Sequence, residues 1–395
     1  MKLFSLIFFF VFSLSLLSYS QQNNTIVSEK EQAKIEKKAA RKAKKAEKIA
    51  QGKFIITPIG IPGYSPELGG FIAGGGLMTF KTNPKDSLIQ RSSFPVTIAY
   101  STTNAIIITG LLNSFWYHDK IRIIGDFWYK NMTDNYWGIG FDKGAAVPKT
   151  DSITAYHRQW MWINPRVLFQ WTKNYFVGAN IDYAYTKGSR PSAGVAADSN
   201  YLVFNNKPLS SGLGFILRYD SRDVPVDHRT GFLIDLRSTF YTALLGGDNT
   251  FQVYLLDYRH AVTFKRKNQV LAWQLKSRFA VGDIPYGEMS QVGTPFDLRG
   301  YTWGRYRDKD MAFVLAEYRY KFLKRNGKFS MHSLVTWAGT GTVFDVSKSN
   351  KGNIKFLPNI GIGYRIEVQP RMNIRIDFGI GRESSGVYFN FSQAF

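Results

Sequence analysis

Apolar and polar side chains take turns along most of this chain from about residue 53 onward. Leu271, Trp273, Leu275, Phe279 and Val281 are set against Gln274, Lys276 and Arg278. Phe232, Ile234, Leu236 and Phe240 face away from Asp235, Arg237 and Thr239, and Ile374, Ile376, Phe378 and Ile380 from Asn373, Arg375 and Asp377. A period of two is the signature of a strand with unlike faces. Repeated Arg, Lys and Asp within the alternation favours an apolar face on lipid and a charged face on a wet lumen.

Polar punctuation divides the pattern. Short turns are expected at His118-Asp119-Lys120, Trp171 to Asn174, Lys265 to Asn268, Lys324 to Lys328 and Pro370-Arg371, and longer connections at about 133–151, 189–207, 283–308 and 345–354. Short turns on one side and long loops on the other is the outer-membrane arrangement, with the short turns periplasmic. At about ten residues per strand plus connections, residues 53–395 hold about sixteen antiparallel strands. The fold class is therefore an all-β transmembrane barrel. Its first strand, near Phe54 to Ile61, carries Pro58 and Pro62, which cannot donate to a ladder. Its last, Gly386 to Phe395, puts Val387, Phe389, Phe391 and Phe395 on one face.

The N-terminal part differs. Lys2 followed by the apolar run Leu3 to Leu17, with small residues at Ser18 and Ser20, reads as a signal peptide cut before Gln21. An uncleaved anchor helix is the alternative, but the run is short for a span of about 20 residues. Residues 21–52 are rich in Lys, lack aromatics and repeat Ile35, Ala39, Ala43, Ala46 and Ile49 at helical spacing. They read as a basic, partly helical periplasmic extension, either a solvated linker or a segment touching anionic lipid. No other long apolar run follows, so a membrane-embedded mature chain must cross with strands.

Composition narrows the chemistry. The 395 residues include 31 Phe, 22 Tyr, 35 Gly and no Cys, which excludes disulfides and thiolate metal sites. The net charge of +22 would suit nucleic acid, but an exported chain meets anionic lipid headgroups, lipopolysaccharide included. His118, His157, His228, His260 and His332 are scattered without metal-ligand spacing. Gly74-Gly75-Gly76 lacks the Lys of a phosphate loop, and Asp220 and Asp223 beside Arg218 and Arg222 read as structural ion pairs. No cofactor, metal or enzymatic activity is expected.

Two segments are more specific. Phe215-Ile216-Leu217 leads into Arg218-Tyr219-Asp220-Ser221-Arg222-Asp223, Pro225 and Arg229-Thr230-Gly231, and Phe296-Asp297-Leu298-Arg299-Gly300-Tyr301 lies in the long late loop. Together with Tyr64 to Gly69 and Ala316-Glu317-Tyr318-Arg319, they resemble the BamA/TamA-type outer-membrane assembly barrels, the bacterial surface antigen family. The resemblance spans 53–395 and implies that Arg299, Gly300 and Tyr301 form a loop tip folded back into the lumen. Leu298 stands where Val or Ile is commoner in the family. A charged tip residue in a confined lumen needs a partner. The strand phase offers Glu317 first and Asp377 second, both opposite to apolar neighbours. The family also often carries an acid on the strand after Glu317, whereas 336–341 here holds none. The resemblance further implies an outer-membrane location, an aromatic C-terminal strand signal in Phe389, Phe391 and Phe395, and assistance to insertion or translocation of proteins or lipids. Partners would be client barrels or periplasmic factors. The family's periplasmic POTRA repeats have no room in this chain, so a barrel-only member is expected, with a structural or passive-pore barrel as the alternative.

Overall fold

The computed structural model describes residues 29–65, 68–86, 89–348 and 354–395. The expected signal peptide lies outside the described residues. The chain divides into two units, Met1–Glu47 and Lys48–Phe395. In the first, the described residues belong to helix α1 (Glu29–Ala50), built almost wholly from Glu, Lys, Arg and Ala, which are strong helix formers. Its described side chains are nearly all exposed, Ile35 included.

The second unit is a meander of antiparallel strands. They are β1 (Ile55–Ser65), β2 (Gly69–Phe80), β3 (Ser92–Ser101), β4 (Ile106–Trp116), β5 (Ile121–Asn135), β6 (Ala155–Thr172), β7 (Tyr175–Ser189), β8 (Leu209–Asp220), β9 (Gly231–Tyr241), β10 (Phe251–Thr263) and β11 (Gln269–Gly282). A two-rung ribbon, β12 (Ser290–Gln291) with β13 (Arg307–Asp308), then precedes β14 (Asp310–Leu323), β15 (Phe329–Phe344), β16 (Leu357–Gln369), β17 (Met372–Ile380) and β18 (Ser385–Phe391). Sixteen of these described strands form one sheet in chain order, from which only the ribbon is left out. Short helices α2 (Phe141–Ala146), α3 (Ala193–Ala196) and α4 (Ser199–Phe204) sit in the long connections.

The faces are inverted relative to a water-soluble protein. Phe215, Leu217, Leu236 and Ile360 are exposed, whereas Arg218, Asp235 and Asp257 are buried. An apolar outer belt of this kind is stable against lipid and costly in water. Inside, Arg218 lies opposite Asp235 in the ladder and bonds it at 2.9 Å, while Asp235 and Asp257 face each other and are neutralised by Arg237 and Arg259 two residues on. Like charges directly opposite would repel; the interleaved guanidiniums remove that cost.

The five expected short turns lie at one end, together with two longer connections, between β2 and β3 and between β8 and β9; the second takes in the end of the charged stretch from Arg218 to Asp223. Sheet curvature brings the last turn of the sheet round to its first strands: Gln369 at the end of β16 bonds Thr57 of β1 and Thr79 of β2 at 2.9 and 2.7 Å. Among the described residues, however, no hydrogen-bonded ladder joins β1 to β18. The closing strand pair near the first and last strands is thus two edge strands without a ladder between them among the described residues. Pro58 and Pro62 remove donors from β1, and β18 has only seven residues against eleven.

The C-terminal end also departs from expectation. Phe389 and Phe391 pair with Ile376 and Ile374 on the outer face. Phe395 does not join them: the strand stops at Phe391, Ser392 adopts φ +64°, and Phe395 is buried inside the sheet. The left-handed residue breaks the alternation on which the sequence reading relied.

Candidate functional site

The 283–309 loop enters the lumen from the long-loop end. Its base is the β12–β13 ribbon, and its turn is held by Asp297, whose carboxylate accepts from the backbone N–H of Gly293 and Thr294 at 2.8 Å and from Thr294 Oγ1 at 2.6 Å. Burial pushes the Asp297 carboxyl up despite these donors. Leu298 and Tyr301 join one apolar cluster with Phe313 and Leu315 of β14 and Trp337 of β15. A branched apolar residue beside Arg299 therefore has a packing role on the inner wall.

Arg299 is fully buried and forks between two strands. Its Nη2 donates to Glu317 Oε1 at 2.8 Å and its Nη1 to Asp377 Oδ2 at 2.6 Å, and both carboxylates are as buried as it is. The guanidinium lies 3.6 Å over the Trp337 ring, in cation–π range. Burial works against its charge, but the two carboxylates outweigh burial and hold its pKa above the ordinary value. Three more arginines complete the cluster: Arg319 bonds Glu317 Oε2 at 3.0 Å, Arg365 bonds Asp377 Oδ1 at 2.5 Å, and Arg375 lies 3.3 Å from Asp377 Oδ2.

Strand register creates this site. Glu317, Trp337, Gly361 and Gly379 form one row across β14 to β17. The acid and the indole stand up at one end of the row, and at the other a Cβ on Gly379 would collide with the Arg299 carbonyl. Asn359 links the parts, accepting from Trp337 Nε1 at 2.9 Å and donating to that same carbonyl. Gly300 has φ +114°, and a Cβ there would meet the Ile380 nitrogen at 2.7 Å. Only glycine fits both the backbone and the wall. Tyr388 Oη accepts from the Gly300 N–H at 2.9 Å, and Tyr301 Oη donates to the Pro358 carbonyl at 2.7 Å.

A second anchor grips the opposite wall. Trp303 meets Trp128 of β5 and Trp160 of β6 edge-on, with ring centroids 5.6 and 5.9 Å away, and Lys130 Nζ sits 3.1 Å from its ring centre. The loop therefore crosses the lumen as a strut. Beside it remains a cavity of about 530 Å³ lined by alternating arginines and carboxylates with Trp128, Trp160 and Trp303 among them.

The structure thus brings Arg299, Gly300, Tyr301, Glu317 and Asp377 into one place. Phe389 and Phe391 lie on the outer face of β18, and Phe395 lies in the lumen near Arg319. In the 336–341 stretch, where the resemblance implies an additional acid, Trp337 instead presents its ring face to Arg299. Sequence reasoning missed Trp337, Asn359, Arg365 and Trp303; the inward phase of Arg365 between Tyr364 and Ile366 was a usable signal. Among the described residues, no group of three His, Asp or Glu is placed to hold a metal ion.

No curated protein sequence matches the chain significantly. Solved structures do. BamA from Haemophilus ducreyi lacking POTRA domains 1–3 superposes with a TM-score of 0.52 at 12% identity, covering 90% of this chain and 78% of that one. CdiB from Acinetobacter baumannii gives 0.54 at 11% identity, covering 86% of this chain, which spans only 59% of CdiB. At such identities the likeness speaks for the fold. The profile of the Omp85 superfamily domain matches residues 90–395, and on that match the chain belongs to the Omp85 superfamily.

Proposed function

We propose that this outer-membrane barrel assists the insertion or translocation of proteins or lipids, using the seam between β1 and β18 as its working edge and the loop tip at Arg299 as the lock that holds the barrel in shape around it. The observation that carries this reading is the pair of unladdered edges. A strand edge with unpaired donors and acceptors is a template for another strand, and a soluble or purely structural sheet ordinarily covers such edges. The buried grip on Arg299 supports the lock, since a wall that opens at one seam needs an internal brace. The basic helix α1 offers Lys and Arg to anionic headgroups, lipopolysaccharide among them. Client barrels and periplasmic factors are the protein partners this reading takes from the family.

A structural barrel without assembly activity is the second reading. It is favoured by the ion-paired lumen, which the loop strut crosses beside a cavity of about 530 Å³. Depleting the protein and quantifying every other outer-membrane protein separates the two. Assembly predicts a fall in a defined set of other barrels or a change in surface lipid; an unchanged outer-membrane inventory leaves the structural barrel.

A further inference from the structure

The short-turn end of the lumen has a floor. It is built from the 221–230 connection and from residues 392–395, which turn inward after Ser392. Gln393 donates from its backbone N–H to the Val226 carbonyl at 3.3 Å and from Nε2 to Asp227 Oδ1 at 2.8 Å. Arg371 clamps the same connection, donating to Asp227 Oδ2 and Asp223 Oδ2 at 2.8 Å each. The Phe395 ring is buried, with its centroid 6.5 Å from that of His228.

Two arginines belong both to this floor and to the cluster around the loop tip. Arg319 holds Glu317 with Nε at 3.0 Å and reaches down with Nη1 to the His228 carbonyl at 3.1 Å and with Nη2 to a main-chain oxygen of Phe395 at 3.3 Å. Arg365 holds Asp377 with Nη1 at 2.5 Å and the Gln393 side chain with Nε at 3.0 Å. Glu317 and Asp377 are the two carboxylates that grip Arg299. An unbroken path of charge-assisted bonds therefore runs from the loop tip through each carboxylate and each arginine to the tail. A rigid planar fork with five donors suits a residue that must serve two sites at once.

We infer that the long-loop end and the short-turn end of this barrel are coupled through Arg319 and Arg365, so that releasing Arg299 loosens the lumen floor. When Arg299 leaves, Glu317 and Asp377 are buried with fewer partners, and Arg319 and Arg365 recentre on them. Both then give up bonds to His228, Phe395 and Gln393. The coupling works in reverse as well, because linkage between two sites is reciprocal.

The chain has no cysteine, so single probes can be introduced cleanly. In full-length folded protein in lipid vesicles, Ala394→Cys reports the floor and Thr302→Cys reports the loop. Both are read as the rate of reaction with a soluble maleimide. Arg299→Ala is expected to speed labelling at position 394 about tenfold, a factor within the usual range of site-to-site coupling. In an Arg319→Gln/Arg365→Gln background the same substitution is expected to add no more than about twofold, the non-additivity of a shared path. Should Arg299→Ala fail to fold, the reverse direction carries the test without replacing any residue of the buried cluster: Gln393→Ala with Arg371→Ala is expected to speed labelling at position 302 severalfold. Unchanged labelling at the far site in either direction, or effects that simply multiply when the relay is cut, overturns the inference.

Discussion

The guanidinium of Arg299 rests 3.6 Å above the ring of Trp337, whose indole N–H donates to Asn359, the residue that in turn holds the Arg299 carbonyl. One side chain thus supports both the charge and the backbone of the loop tip. Trp337→Phe keeps a ring under the arginine but removes the N–H, and is expected to cost about 1 kcal/mol. Trp337→Ala removes the face as well and opens a hole in the apolar cluster, for about 3–5 kcal/mol. Urea unfolding of the vesicle-embedded protein, followed by heat-modifiable migration, measures both; equal losses would contradict the two-part role.

Removing one charge from a buried pair leaves the other without compensation, which costs about 3–5 kcal/mol. Glu317→Gln and Asp377→Asn are both expected to fall in that range. Asp377→Asn should be the more damaging, because Asp377 faces Arg299, Arg365 and Arg375 whereas Glu317 faces Arg299 and Arg319. Unfolding midpoints of the two variants rank them, and the reverse order would show that Arg375 is balanced by something other than Asp377.

Much of this was legible in the residues. Period two marks the strands because a barrel wall has one lipid face and one wet face, and that contrast is strongest where Leu236 and Asp235 sit side by side. Phase alone puts Glu317 and Asp377 inward. What phase does not carry is register between strands distant in sequence. The row that sets Glu317 beside Trp337, Gly361 and Gly379 exists only once four strands are aligned, so the indole under Arg299 was invisible. Alternation also fails where the backbone leaves the strand, which is why phase assigns Phe395 to the outer face although Ser392 turns it inside. The floor was hidden for a related reason: its contacts join residues 221–230 to the tail across about 166 positions, and no local pattern spans that.

Two glycines with positive φ separate backbone strain from steric fit. Gly327 has φ +74° in an open turn, with no described atom within 4 Å of an added methyl, whereas Gly300 has φ +114° against the Ile380 and Gly381 backbone. Gly327→Ala is expected to cost about 1 kcal/mol, the left-handed penalty alone. Gly300→Ala adds the collision and is expected to cost about 3 kcal/mol, with faster proteolysis of the 283–309 loop. Similar losses at the two sites would mean that the loop tip tolerates a shift away from the wall.

Two groups outside the strands make stability depend on pH with opposite signs. His228 is held well below its ordinary 6.5 by burial first and then by Arg319, Arg222 and Arg259, and among the described residues neither ring nitrogen has a hydrogen-bond partner. The unfolded chain takes up a proton below that value and the folded chain does not, so this group lowers stability as pH falls below 6.5, by at most about 1.4 kcal/mol per unit. Glu288 is pushed up to about 7, chiefly by burial and then by Asp182, from an ordinary 4.5. Here the folded chain keeps a proton that the unfolded chain loses, so its contribution is full below 4.5 and disappears as pH rises through 7. Between those values the two slopes oppose each other and the parent curve is flattened. His228→Leu is expected to gain stability relative to the parent at about pH 5 compared with about pH 7, and Glu288→Gln to gain at about pH 7 compared with about pH 5. Urea midpoints of the three proteins at both values decide it. Differences from the parent that do not change with pH would mean that neither group titrates differently on unfolding.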